Sequence, residues 1–336
     1  METNQDKHIS LTSSEISSLW TAYQEVTIAI CGIRFFLQHI DDKQIQEVLE
    51  KTLSLVESEK TKITNIFNKE NYPVPQGFTE EDVNLDASRL FSDQLYLAYI
   101  FNLTKLKIPA TGVSLMGASR LDVMQYFSES LKNAQHLHIE TKELQKEKGI
   151  YIRAPYIPTP NQIDFVEKQT FLAGWFADRR PLLGTEIASI VFNAERNALG
   201  QAVITGFSQV AKSKEVRSYF SRGREISGKH LNVFASILHE DYLSDGALLL
   251  TPQVTNSTES PFSDKLMMTL VTTLIASGIG QYGISVSTSP RRDLGVHYAR
   301  LIAELTKYSN DGAEILIDNG WMEQPPMAAN RKDLAK

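Results

Sequence analysis

The chain has 336 residues, 42% hydrophobic and 22% charged, the balance of a soluble globular protein of about two domains. A formal charge of −6 leaves no basic footprint for nucleic acid, whose phosphates call for a positive surface. The one cysteine, Cys31, excludes an intrachain disulfide; in the apolar run TIAICGIRFF it reads as a small buried hydrophobe.

The opening METNQDKHIS is polar and lacks the apolar stretch of a secretory signal, so a cytoplasmic location is expected. Next, Ile16, Leu19, Tyr23, Val26, Ile30, Ile33, Leu37 and Ile40 recur in steps of three and four, the seam of a bundle helix. Thr12, Ser13 and Ser14 are its N-cap candidates, with Glu15 in the first turn. Asp41-Asp42 ends this helix and caps a second, predicted to run to about Asn68. Tyr72-Pro-Val-Pro-Gln-Gly77 stops the second helix, because two prolines deny it donors and the glycine permits a turn. Ser92-Asp93 caps a third helix, with a kink expected at Ile108-Pro109. Asp122 opens a fourth, which ends at Lys148-Gly149 with glycine in the C′ position. Four helices of roughly 28 residues result, each about 42 Å long, with a connection of about 20 residues between the second and third.

The second half repeats the first at a shift of about 171 residues. Glu15-Ile16 falls on Glu186-Ile187, Phe91-Ser92-Asp93 on Phe262-Ser263-Asp264, Arg120 and Asp122 on Arg291 and Asp293, and Gly149 on Gly320. Residues 50–80 align less well, which predicts a small compensating indel. The predicted fold is all-α: two tandem ferritin-like up-down four-helix bundles, at 8–150 and 182–325, each with the long connection between helices 2 and 3. Between them, 151–181 forms a strap, Pro-rich and then amphipathic. Phe165, Phe171, Leu172, Trp175 and Phe176 make it too apolar for a free tether, so it should pack on a bundle. Leu266 to Pro290 carries no charge and is long enough for a bilayer. Its Thr, Ser, Gly and Gln content and lack of aromatic belts favour a buried central helix, so no integral membrane segment is expected.

A ferritin-like bundle raises the question of a di-metal site, which takes a Glu from each of two helices and a Glu-x-x-His from each of the others. The residues three positions before the seven histidines are Gln5, Phe36, Asn133, Gln135, Ser227, Ser236 and Leu294, so that ligand set is missing. Neither catalytic residues nor a cofactor are therefore predicted. A nonstandard site in the second bundle would draw on Glu195, Glu225, His230, His297 and Glu304. The plainer reading makes His230, on the seam Ile226, Val233, Ile237, a core histidine bonded to a neighbouring helix, and His138 the same. Glu240 and Asp241 read as solvated. So does the cluster Lys212, Lys214, Arg217, Arg222 and Arg224. The Arg120/Asp122 and Arg291/Asp293 pairs read as helix-start capping. No phosphate-binding loop or nucleophile elbow is present; Gly278, Gly280 and Gly283 read as sites of close helix approach.

The strings FNKENYPVPQGFTEEDVN, RLFSD, GIYIRAPYIPTP, DRRPL, GFSQVAKSKEVR, SPFSDKLMM, RRDLG and DNGWMEQPP resemble a tandem domain-of-unknown-function family, number three-two-three-one, of endospore-forming bacteria. The resemblance covers nearly the whole chain. It implies ferritin-like bundles and a spore-coat label shared with the coat F type. The expected function is a non-enzymatic structural or interaction protein, spore-coat or sporulation associated, acting through protein partners or self-association. The alternatives are a ferritin-like metal-binding protein or oxidoreductase, and a small-molecule or lipid binder between helices.

Overall fold

The computed structural model describes residues 9–174 and 179–335. Its long helices are α1 (Ser13–His39), α2 (Lys43–Lys69), α3 (Asp93–Gly117), α4 (Leu121–Glu147), α5 (Gly184–Val210), α6 (Lys214–Glu240), α7 (Asp264–Ser287) and α8 (Arg292–Asp318), followed by a single turn, α9 (Arg331–Leu334). Short 3-10 turns lie at Glu80–Asp82 and Thr251–Gln253 in the two long connections. Among the described residues the extended pairing is limited to one isolated bridge, Phe91 with Val254. The protein is all-α with tandem halves.

Ser13 and Gly184, Lys43 and Lys214, Glu80 and Thr251, Asp93 and Asp264, and Leu121 and Arg292 are each 171 residues apart, so the register is the same on either side of 50–80. Inside the connection it slips by two and recovers: the left-handed glycines Gly77 and Gly246 are 169 residues apart. Substitution inside α2 and α6 adds to the apparent slip. Val48, Thr52 and Glu59 of one seam are replaced by Tyr219, Gly223 and His230 of the other, which hides the register without shifting it. Backbone details repeat as well: Asn71 and Tyr242 are both left-handed (φ 52 and 58), and so are Gly149 and Gly320 (φ 67 and 66).

The chain forms two compact units. One comprises Met1–Leu85, Ile100–Glu143 and Met322–Lys336; the other comprises Asp86–Tyr99 and Leu144–Trp321. In the first, α1 packs along α2, and the three-residue connection makes them antiparallel. Leu19, Ile33, Leu49, Ile63 and Phe67 are fully buried between them. Thr12 caps α1 in a capping box with Glu15, and Asp42 caps α2 through the backbone N–H groups of Gln44 and Ile45. Helix α3 runs on through Pro109, which is exposed, so its missing donor costs a hydrogen bond at the surface and not in the core.

In the second unit, α5 packs on α6 and α7, and α8 packs on α6 and α7, a four-helix arrangement. The segment 86–99 of the first repeat is built into this unit. Phe91 wedges against Phe207 and lies where a Cβ on Gly206 would sit. Thr255 N–H donates to Leu90 O (2.9 Å), Ser92 N–H to Gln253 O (3.0 Å), and Ser88 N–H and Oγ to Glu259 (2.8 and 2.6 Å). Ser88 and Glu259 are equivalent residues of the two repeats, 171 positions apart.

Two expectations need correction. The strap does not pack throughout. Ile163 and Phe165 are more than four-fifths exposed, because Pro155, Pro158 and Pro160 hold an extended chain with no periodic apolar face to bury. Its end does pack: the Arg180 guanidinium lies 4.3 Å over the Phe171 ring, and Leu182, the first residue beyond the strap, is buried. Trp175 and Phe176 lie outside the described residues. Helix α7 is long and apolar enough to cross a membrane by length and composition, yet only 28% of its apolar stretch is buried, one face rather than a central helix. That face carries Leu266, Met267, Met268, Val271, Ile275 and Tyr282.

Candidate functional site

At the centre of the second unit, α6 brings His230 into full burial. Its Nε2 lies 3.1 Å from Glu304 of α8 and its Nδ1 3.0 Å from the Tyr282 hydroxyl of α7. The Tyr282 oxygen also accepts from Asn197 Nδ2 of α5 at 2.8 Å. These partners fix the protons. A carboxylate can only accept, so Nε2 carries the hydrogen, Nδ1 accepts, and Tyr282 donates to it while accepting from Asn197. A proton added to Nδ1 would leave the Tyr282 hydrogen without an acceptor. Burial pushes the His230 pKa below its ordinary value, although the Glu304 contact pulls it up. Glu304 itself is held low: burial raises it, but Lys229 at 2.8 Å and His230 outweigh that. Deeper in, Asn193 Nδ2 donates to Ser285 Oγ at 2.8 Å. Arg196 reaches the Leu274 and Ser277 carbonyls of α7, and burial depresses its pKa to about 10.

The first unit solves the same position differently. Glu59, 171 residues before His230, is also buried; it accepts from Ser130 Oγ of α4 at 2.8 Å and pairs with the Lys107 ammonium of α3. One bundle thus centres on a neutral imidazole and the other on a carboxylate neutralised by a lysine. His138, half-buried, lies 2.9 Å from Thr104 Oγ1 and stacks on Phe101, so it too bonds to a neighbouring helix.

Of the five residues considered for a nonstandard metal site, the structure joins His230 and Glu304. Glu195, Glu225 and His297 do not complete the set, and among the described residues no group of three acids, histidines or cysteines is placed to hold a metal. Glu225 instead lines an open groove of about 360 Å³ between α6 and α8, with Lys229, Glu304 and Lys307. A second groove of about 380 Å³ continues it past Arg222, Asp311 and Glu314. Their charged walls suit water and ions better than a lipid tail.

Other polar residues the sequence singled out serve the helix ends. Arg120 and Asp122 form a two-toothed pair, as do Arg291 and Asp293 (2.9 and 2.9 Å), the latter fully buried. They do more than cap α4 and α8: Arg120 continues to Glu70 and Arg291 to the Arg180 carbonyl. The sequence missed Glu15 and Glu186 as centres. Glu15 accepts from Thr12, Ser119 and Arg120, and Glu186 from Leu183, Arg291 and Arg180, so each ties the start of one helix to a turn more than 100 residues away. Their recurrence in both repeats was the signal. Glu240 and Asp241 are not merely solvated, because Arg179 pairs with one at 2.8 Å and Leu182 N–H donates to the other at 2.5 Å.

The chain matches the protein-of-unknown-function family DUF3231 twice, over residues 1–163 and 170–334. It belongs to that family. No curated protein matches it. Among solved structures it is similar to a putative spore coat protein from Bacillus halodurans C-125, with 19% identity and a TM-score of 0.41, over 45% of this chain and 98% of that one. The two family matches correspond to the two sets of four helices.

Proposed function

We propose that this protein is a non-enzymatic structural or interaction protein of a spore-forming bacterium, associated with the spore coat or with sporulation. The observation that carries the first part is how the central polar groups are used. In both repeats the buried position that faces the other helices, Glu59 or His230, has its bonding capacity taken up by neighbouring side chains. A catalytic or metal-binding pair needs an atom pointed at an outside reactant; here Nε2, Nδ1 and the Tyr282 hydroxyl are all turned to partners within the bundle. What the chain offers outward is apolar: Tyr156, Ile157, Ile163, Phe165 and Val166 of the strap are exposed. The strap at 151–181, between bundles 8–150 and 182–325, is the part of this reading that meets partners.

The spore association draws on membership in the DUF3231 family and on the spore-coat label that the sequence resemblance implies. A fluorescently tagged copy followed through sporulation tests it: signal concentrating on the developing spore is expected. Diffuse signal in vegetative cells with none on the spore overturns the association and leaves the interaction reading to be judged by its partners.

A further inference from the structure

Glu323 of the C-terminal tail meets Gln76-Gly77 of the first long connection within the first unit. Glu323 follows shortly after α8 ends at Asp318. Its Oε2 accepts from Gln24 Nε2 at 2.7 Å and from Gly77 N–H at 3.3 Å, and its Oε1 accepts from Gln76 N–H at 3.0 Å. Gly77 is left-handed (φ 61) and presses on α1, where a Cβ would lie 2.7 Å from Thr27 Oγ1. A left-handed residue in such a turn aims successive N–H groups to one side, a concave arrangement that holds anions. Gln24, on α1, closes it with a side-chain amide. Three neutral donors therefore converge on one carboxylate.

Lock and key each occur once. In the second repeat the left-handed glycine of the matching connection is Gly246, which follows Asp245 where Gly77 follows Gln76, and Gln24 is replaced there by Glu195, so two acids that would repel a carboxylate stand where the amides were. The residue equivalent to Glu323 in the first repeat is Ile152. The tail carrying the key is turned out of α8 by Gly320 (φ 66), has no regular structure over 321–330, and exposes Met322 and Met327. We infer that the cradle of Gln24, Gln76 and Gly77 is a docking site for an extended segment bearing a carboxylate, and that its partner between molecules is the 321–327 tail of a second copy. The chain's own tail is the resident occupant. The contacts are the same within a chain and between chains, so the balance follows effective concentration: the short tether favours the chain's own tail in dilute solution, and crowded copies favour exchange. One lock and one key per chain join copies head to tail, the geometry of open assemblies. The choice of a second copy as partner rests on the interaction-protein reading; the cradle itself does not.

Full-length E323Q keeps the cradle and loses the key. A labelled peptide of residues 319–330 should bind it saturably, bind the wild-type chain more weakly because the resident tail competes, and lose roughly tenfold or more in affinity when its own glutamate is replaced by glutamine. No binding of the native peptide to a fully helical E323Q chain at millimolar concentration overturns the cradle. Full-length Q24L damages the lock and keeps the key, so mixing it with E323Q should yield by light scattering a joint species that neither forms alone. Peptide binding without that species overturns the second copy as partner and leaves the cradle standing. Spore localisation is read separately and bears on neither result.

Discussion

Tyr219 and Tyr308 each donate the phenolic hydroxyl to the other's main-chain carbonyl, at 3.1 and 2.9 Å, with their rings stacked 4.2 Å apart. One turn along each helix stands a glycine, Gly223 on α6 and Gly312 on α8, leaving the space the opposing hydroxyl fills. In the first repeat the four equivalent residues are Val48, Thr52, Leu137 and Thr141, and there Thr52 and Thr141 donate to the Val48 and Leu137 carbonyls at 2.7 and 2.8 Å. Both repeats give the same carbonyls an extra donor, from across the bundle in one and from the same helix in the other.

A methyl at either glycine has nowhere to go. The Cβ of Gly223→Ala would meet Tyr308 Oη at 2.1 Å, and that of Gly312→Ala would meet Tyr219 Oη at 2.3 Å. Each change should cost about 2–3 kcal/mol despite the better helix propensity of alanine. Urea unfolding measures it; unchanged stability would mean the ring stack yields freely.

Glu15 couples stability to acid. Burial alone would raise its pKa, but hydrogen bonds from the N–H groups of Thr12, Arg120 and Ser119 hold it down at about 2. Its contribution is present above the ordinary value of 4.5 and is lost as pH falls from there toward 2. Glu15→Gln should remove about 2 kcal/mol at pH 7 and flatten the acid limb. An unaltered limb in the variant would refute this assignment.

The histidines act at higher pH. His138, His230 and His297 are all shifted below 6.5, chiefly by burial, so the unfolded chain takes up protons that the folded chain does not. Stability is therefore full above 6.5 and declines as pH falls through the folded-state values. Nitrogen-edited imidazole spectra at pH 7 should find His230 neutral with its proton on Nε2. A proton on Nδ1 would contradict the hydrogen-bond directions through Tyr282.

Lys107 neutralises a buried carboxylate, so Lys107→Met strands Glu59 with Ser130 as its remaining donor. About 3 kcal/mol of destabilisation is expected, and Glu59→Leu in the same chain should restore most of it, since an apolar pair leaves no unpaired charge. Additive losses in the double variant would show the two side chains to be uncoupled.

Tyr242 stands in the left-handed region and is 98% exposed. Tyr242→Gly should stabilise the second unit by about 1 kcal/mol, because glycine takes that conformation without the Cβ clash. A lower melting temperature would mean the ring makes a contact that outweighs the strain.

The sequence by itself determined the helices, their caps and their repetition. Periodicity, Asp42 and Ser92 as caps, and glycines at 149 and 320 are local signals that act within a turn or two of the chain. It also held the buried place of His230, through its position on the α6 seam. Only the tertiary structure decided what those positions touch. Nothing local distinguishes Glu15, bonded to Ser119, from a solvated first-turn acid, or pairs Glu323 with Gly77 across nearly 250 residues. Nor does the α6 sequence say whether His230 meets a metal or a tyrosine. Such partners are set by which helix faces pack together, and packing follows from apolar burial summed over whole helices, a sum in which single polar contacts weigh too little to be read from their own residues.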